Sequence, residues 1–404
     1  MIPQHEDAAL TNPDPSLPAP GRPLSLLALG FRPFFLGAGL VALLTMTLWL
    51  FRLGGLLPGD AYLGGTAWHA HEMLFGYVGA VIAGFLLTAA RNWTGIDTPT
   101  GTRLGALVLV WLAARLGPLT PMPPLLIALL DLAFFPALAL ALIPPLWQGK
   151  NKTNRAFLAI LAAMTLANLL VHAQALGLTQ ATATLGSRLM LDLTLLTLLL
   201  VAGRIMPFFT QSAIPGTNPR QRPWVEQASF SLATALPLVH LLPTARPLAA
   251  VLLLLLGALQ LIRLAGWHDP RAWRNPMLAV LYAGYLWLVL GLLLDGLASL
   301  DLLPPFPALH ALTTGAIGVF TLGMLARVTL GHTGRDMRAS PATVLAFVLV
   351  NLAALTRVFP PLFWPGQYPL WLSLSGGLWI LAFGLFLWIY GPMLLQPRVD
   401  GRPG

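Results

Sequence analysis

The sequence contains no cysteine. That excludes disulfides, thiolate metal ligands, catalytic thiols and covalent haem attachment through CxxCH. Any haem is therefore held non-covalently, and any copper must take histidine, methionine or carboxylate. Charge is nearly as scarce, at 9% of 404 residues, whereas an ordinary globular protein carries roughly 25%. A soluble surface cannot be covered from that supply. The charge that exists is mostly of one sign, with 23 Lys and Arg against 14 Asp and Glu. A basic balance points to nucleic acid only when it forms a patch on a soluble face, and here it does not.

What is present is apolar sequence. Hydrophobic residues make up 57% of the chain, in runs long enough to cross a bilayer, about 20 residues each. Breaks at proline, glycine and charge divide the chain into twelve spans: 34–51, 69–90, 101–118, 124–146, 156–177, 187–209, 226–243, 247–266, 275–300, 307–331, 341–360 and 369–392. The third and seventh are short. The pattern predicts an all-α, polytopic transmembrane bundle of about twelve helices forming one domain over residues 25–392, with no strong internal repeat. Residues 1–24 are polar and proline-rich and read as a disordered cytoplasmic tail rather than a cleaved leader, and 393–404 as a second cytoplasmic tail. With the N-terminus inside, sixteen Lys and Arg residues fall in cytoplasmic segments, against Arg52, Arg188 and Arg246 outside. That bias is the positive-inside signature and places both termini in the cytoplasm. It also accounts for the basic balance without nucleic acid.

Orientation gathers the histidines. His69 and His71 open the second span, His172 is late in the fifth, His240 closes the seventh and His310 opens the tenth, so all five lie in the outer third of the membrane. The acids follow: Glu72 opens the second span, Asp131 is in the outer half of the fourth, Asp192 opens the sixth and Asp295 is late in the ninth. Ionisable groups inside a bilayer are costly and face the bundle interior, a partner or a water cavity. Imidazole is the commonest metal ligand, so His69, His71, His172 and His310 are candidate metal ligands. Glu72, Asp131, Asp192 and Asp295 are candidates for proton handling or for supporting the ligands. A helix-end histidine commonly serves only as an interfacial residue, a reading that suits His240 best.

In the stretch Trp68-His69-Ala70-His71-Glu72-Met73, positions two apart point about 200° apart on a helix. His69 and His71 should then serve separate sites. His69 shares a face with Glu72 and Met73, which suits copper; His71 shares one with Leu74 and Phe75, which suits a porphyrin. On the inner side, Arg91, Arg204, His268, Arg327 and His332 form a second polar group, mostly of interfacial anchors. Arg204 and Arg327 lie inside their spans and call for an acid, a carbonyl or an anionic group such as a propionate.

Several long blocks occur in order: Gly30-Phe31-Arg32-Pro33-Phe34-Phe35, Trp68 to Tyr77, Gly84 to Gly95, Gly203-Arg204-Ile205-Met206-Pro207, Trp267 to Asn275, and His310 through Arg327 to Gly331-His332-Thr333-Gly334-Arg335. Over nearly the whole chain these resemble the NnrS family. The resemblance implies a bacterial inner-membrane protein containing haem b and copper, tied to nitric oxide, denitrification and resistance to nitrosative stress, with an electron donor the sequence does not name. It carries His69, His71 and His310 over as metal or haem ligands, with His71, His310 and Arg327 on the cofactor side. Haem–copper oxidases and nitric oxide reductases, which also use twelve-helix subunits, are similar in kind. The rival reading is a transporter of a metal or small molecule using the same cluster; a midplane site between repeats would mark one.

Overall fold

The computed structural model describes residues 25–57 and 62–402; the expected tail at 1–24 lies outside them. The described residues are helical, without strands. We number the long helices α1 (Phe31–Leu53), α2 (Gly65–Thr94), α3 (Gly101–Leu119), α4 (Pro124–Gln148), α5 (Lys152–Ala175), α6 (Thr182–Ala213), α7 (Pro223–His240), α8 (Arg246–Trp267), α9 (Pro276–Ser299), α10 (Pro305–His332), α11 (Pro341–Phe363) and α12 (Pro365–Leu395). Each corresponds to one expected span. Eleven are long and apolar enough to cross a membrane; α7, which carries Glu226, Gln227 and His240, is the less apolar twelfth and packs between α6 and α8.

Local chemistry explains the helix ends. Proline stands at the first turn of α4, α7, α9 and α11, where its missing N–H leaves nothing unsatisfied. Asn275 accepts from the Met277 N–H at 3.1 Å and Ser340 from the Thr343 N–H at 3.2 Å, capping α9 and α11. Inside the helices Thr88, Thr194 and Thr197 donate to carbonyls one turn back, each at 2.8 Å, so their hydroxyls need no water. The bundle closes on itself: the Trp379 indole of α12 donates to the Ala42 carbonyl of α1 at 3.0 Å. Arg32 is fully buried and donates to the Leu394 and Gln396 carbonyls at the end of α12, at 3.0 and 2.6 Å. The chain beyond α12 also packs down, the Val399 N–H meeting the Thr333 carbonyl at 3.1 Å.

An internal repeat is present after all. His71, Gly76, Gly79, Gly84, Thr94 and Gly95 of α2 have the same spacing as His310, Gly315, Gly318, Gly323, Thr333 and Gly334 of α10. Both helices switch to π-helical turns immediately after the histidine, at Glu72–Val78 and Ala311–Val319. Both end before a left-handed glycine, Gly95 at φ 71° and Gly334 at φ 74°. The glycines do the same work: Gly84 seats Phe35 of α1, and Gly323 seats Val280 of α9. Gly79 faces Phe134 and Phe135 of α4, and Gly318 faces Trp379 of α12. The helices α2 and α10 are thus equivalent, each packing against the helix before it and the helix two places after it, which relates the sets α1–α4 and α9–α12. Hydropathy conceals this because the apolar residues between the fixed positions interchange freely, leaving a few glycines and one histidine to carry the signal.

Candidate functional site

Three polar centres lie near one end of the bundle, on different sets of helices. The first joins α2, α3, α4 and α5. Asp131 Oδ2 lies 2.9 Å from His71 Nε2 and 3.0 Å from His172 Nε2. Those three residues are buried, and their ligand atoms all lie within 4.8 Å of one another. The Asn168 carboxamide oxygen is 3.0 Å from His71 Nε2, while its nitrogen, also buried, has no partner. Arg115 bonds Glu72 Oε1 at 2.9 Å and Asp131 Oδ1 through its other nitrogen. The outward nitrogens of the imidazoles are held too, His172 Nδ1 by the Tyr62 hydroxyl at 2.8 Å and His71 Nδ1 by Glu72 at 3.3 Å. Histidines anchored through one nitrogen and converging through the other are the support pattern of metal sites.

The second centre is a cavity of about 430 Å³ between α1, α2, α10, α11 and α12, walled by Met46, Trp49, Met73, Leu74, Ile317 and Trp379 and reached by His69, His310, Arg357 and Tyr368. The His310 Nδ1–H donates to the Phe306 carbonyl at 2.9 Å, which leaves Nε2 with a free lone pair. The His69 ring stacks on Trp49, centroids 4.9 Å apart, and its Nδ1 is buried without a partner. Arg357 gives one nitrogen to the Tyr368 hydroxyl at 2.7 Å; the other, Nη1, is buried and unpartnered. The third centre joins α6, α7 and α9: Arg188 bonds Asp192 at 3.1 Å and Asp295 at 2.6 Å, and His240 Nδ1 is 2.6 Å from Asp192.

The divergence of His69 and His71 is as expected, and so are Met73 beside His69 and Phe75 stacked on His71 at 4.8 Å, but Glu72 and Leu74 change sides. Glu72 sides with His71, drawn by Arg115, while Leu74 turns into the His69 cavity. The π-helical turns begin at Glu72, so a plain helical wheel misplaces the residues after it. His71 and His310 do not share a site, because the repeat sets them on equivalent helices facing different neighbours. Nor does Arg327 reach His310: the helix between them runs about 25 Å. Arg327 instead lies over the Phe209 ring at 3.9 Å, with no acid against it. Arg204 stacks over Trp93 at 5.0 Å and bonds the Asn154 carboxamide at 2.8 Å. Asp192 and Asp295 belong to the third centre, away from both histidine sites. Sequence reading passed over Arg115, Arg357, Asn168 and Tyr368. A cation inside an apolar helix near a candidate acid was the available signal for Arg115.

These features define a class, a multi-pass helical membrane protein with buried imidazole and carboxylate centres between its helices. The chain matches the NnrS family, described as NnrS protein, over residues 25–398, and it belongs to that family. No curated protein matches it.

Proposed function

We propose that the chain is a haem- and copper-binding protein of the bacterial inner membrane that takes up nitric oxide in the cavity between α2 and α10. Haem b is assigned to that cavity and copper to the His71–Asp131–His172 centre. One observation carries the first assignment. A largely apolar cavity brings together two imidazoles, each with a nitrogen lacking a side-chain partner, and a buried guanidinium with a free nitrogen. His310, oriented by the Phe306 carbonyl, is the iron ligand. His69 on the same wall meets the small ligand, and Arg357 with Tyr368 receives a carboxylate of the porphyrin. Haem iron on a neutral imidazole binds diatomic gases, with pocket polarity setting the outcome. At the other centre, two imidazoles, a carboxylate and a carboxamide oxygen form a donor set that suits copper.

The test is a visible spectrum with metal analysis on purified variants. His310→Ala is expected to abolish haem absorption, and His69→Ala to retain haem with an altered spectrum in the presence of nitric oxide. His71→Ala and His172→Ala should keep haem and lose copper. Haem loss from His71→Ala alone would reverse the assignment.

A further inference from the structure

The repeat between α2 and α10 leaves four helices, α5–α8, between two equivalent four-helix sets. Three features make these a third unit. In each set the second helix is the enclosed one: α2, α6 and α10 are 89%, 83% and 78% buried, whereas no other candidate span exceeds 67%. The crevices between sets are built by one rule, in which the second and later helices of a set meet a helix of the next. His71, Arg115 and Asp131 of the first set meet His172 of α5. His310, Arg357 and Tyr368 of the last set meet Trp49 of α1 across the cavity. Arg188, Asp192 and His240 of the middle set meet Asp295 of α9. A guanidinium stands in every crevice. The α6 helix does not keep the glycine spacing, so its place rests on burial and contacts.

We infer that the chain comprises three four-helix units, and that the crevice between the second and third binds an exchangeable proton between His240 and Asp192. Among the described residues His71, Asp131 and His172 bring three ligand atoms within 4.8 Å of one another, and the Asp192–His240–Asp295 crevice has Arg188 between its two carboxylates. Its charges call for a proton instead. Two carboxylates face one guanidinium, which leaves one negative charge in a place where the Asp192 side chain is wholly enclosed. A proton on His240, whose Nδ1 lies 2.6 Å from Asp192 Oδ2 and 3.3 Å from Arg188 Nε, closes the balance. The imidazole is 15% exposed and the Arg188 side chain 25%, so the proton can exchange at the end of the bundle. Arg188 and Asp192 on α6, His240 on α7 and Asp295 on α9 are the charged groups of the cluster. On α8, Arg246 pairs with exposed Asp301 and Arg263 with Glu226 of α7.

The test is imidazole nitrogen NMR on the full chain in lipid nanodiscs, without added cofactor, across roughly pH 5–8, where histidine ordinarily changes charge. One pH-dependent imidazole signal should be absent in His240→Gln and altered by Asp192→Asn and by Arg188→Gln. Asp295→Asn provides a second carboxylate variant should Asp192→Asn fail to fold. A His240 signal that stays constant with pH, or that ignores loss of either carboxylate, would overturn the proposal. Because no haem is involved, that failure would leave the cofactor assignment standing.

Discussion

Arg115 shows how one residue fixes a centre. It is buried with Glu72 and Asp131 on either side of it. Removing one partner of a buried ion pair leaves an uncompensated charge, at a cost of about 3–5 kcal/mol. Arg115→Gln is therefore expected to destabilise the fold by about that amount, measured by denaturation in mixed micelles. Arg115→Gln together with Glu72→Gln should recover part of the loss. A single variant as stable as the parent would overturn this reading of Arg115. The same residue marks the limit of sequence reading. His69, His71, His172 and Asp131 were legible as ionisable groups inside apolar spans at one depth. Which of them meet depends on side-chain direction across four helices, and the π-helical turns at Glu72 shift that direction.

At the scale of the helix, the twelve spans were legible to within a few residues, because a bilayer demands length and apolarity and the sequence supplies both. The repeat was not, since its signal rests in glycines that look like ordinary membrane-helix composition. Those glycines give it a direct test. A side chain at Gly84 would run into Phe35, whose ring carbons lie 2.8 Å from the position a Cβ would take; at Gly323 the clash is with Val280 at 2.7 Å. Overpacking a filled contact costs about 1–3 kcal/mol. Gly84→Leu and Gly323→Leu should each destabilise by that order, while Gly377→Leu, where nothing lies within 4 Å, should not. The comparison is a melting series in one detergent. Tolerance at Gly323 alongside loss at Gly84 would break the equivalence of the two helices.

For the whole molecule, the repeat bears on the transporter reading and on topology together. Repeats are common in transporters, so their expected absence no longer counts against that reading. Position still does, since the histidine centres lie toward one end of the bundle rather than at the midplane where transporters place substrate. The repeat also constrains orientation. Eight helices separate the start of α1 from the start of α9, an even number, so the two equivalent sets run in the same direction and their histidines face the same side. On the expectation drawn from the Lys and Arg bias, that side is the outer one. The same expectation puts Lys150, between α4 and α5, and Lys152 and Arg155, in the first turns of α5, on the cytoplasmic side, and the connection between α1 and α2 outside. Reporter domains fused after residue 60 and after residue 150 should therefore report opposite compartments, the first external. A third fusion, after Asp301 between α9 and α10, should agree with the first, because the repeat makes that turn the counterpart of the one between α1 and α2. If the third disagrees while the first two hold, α7 does not cross the membrane, since losing that one crossing inverts everything after it. If the first two coincide, the crossing count fails within α2–α4, and with it the outward placement of the histidine centres.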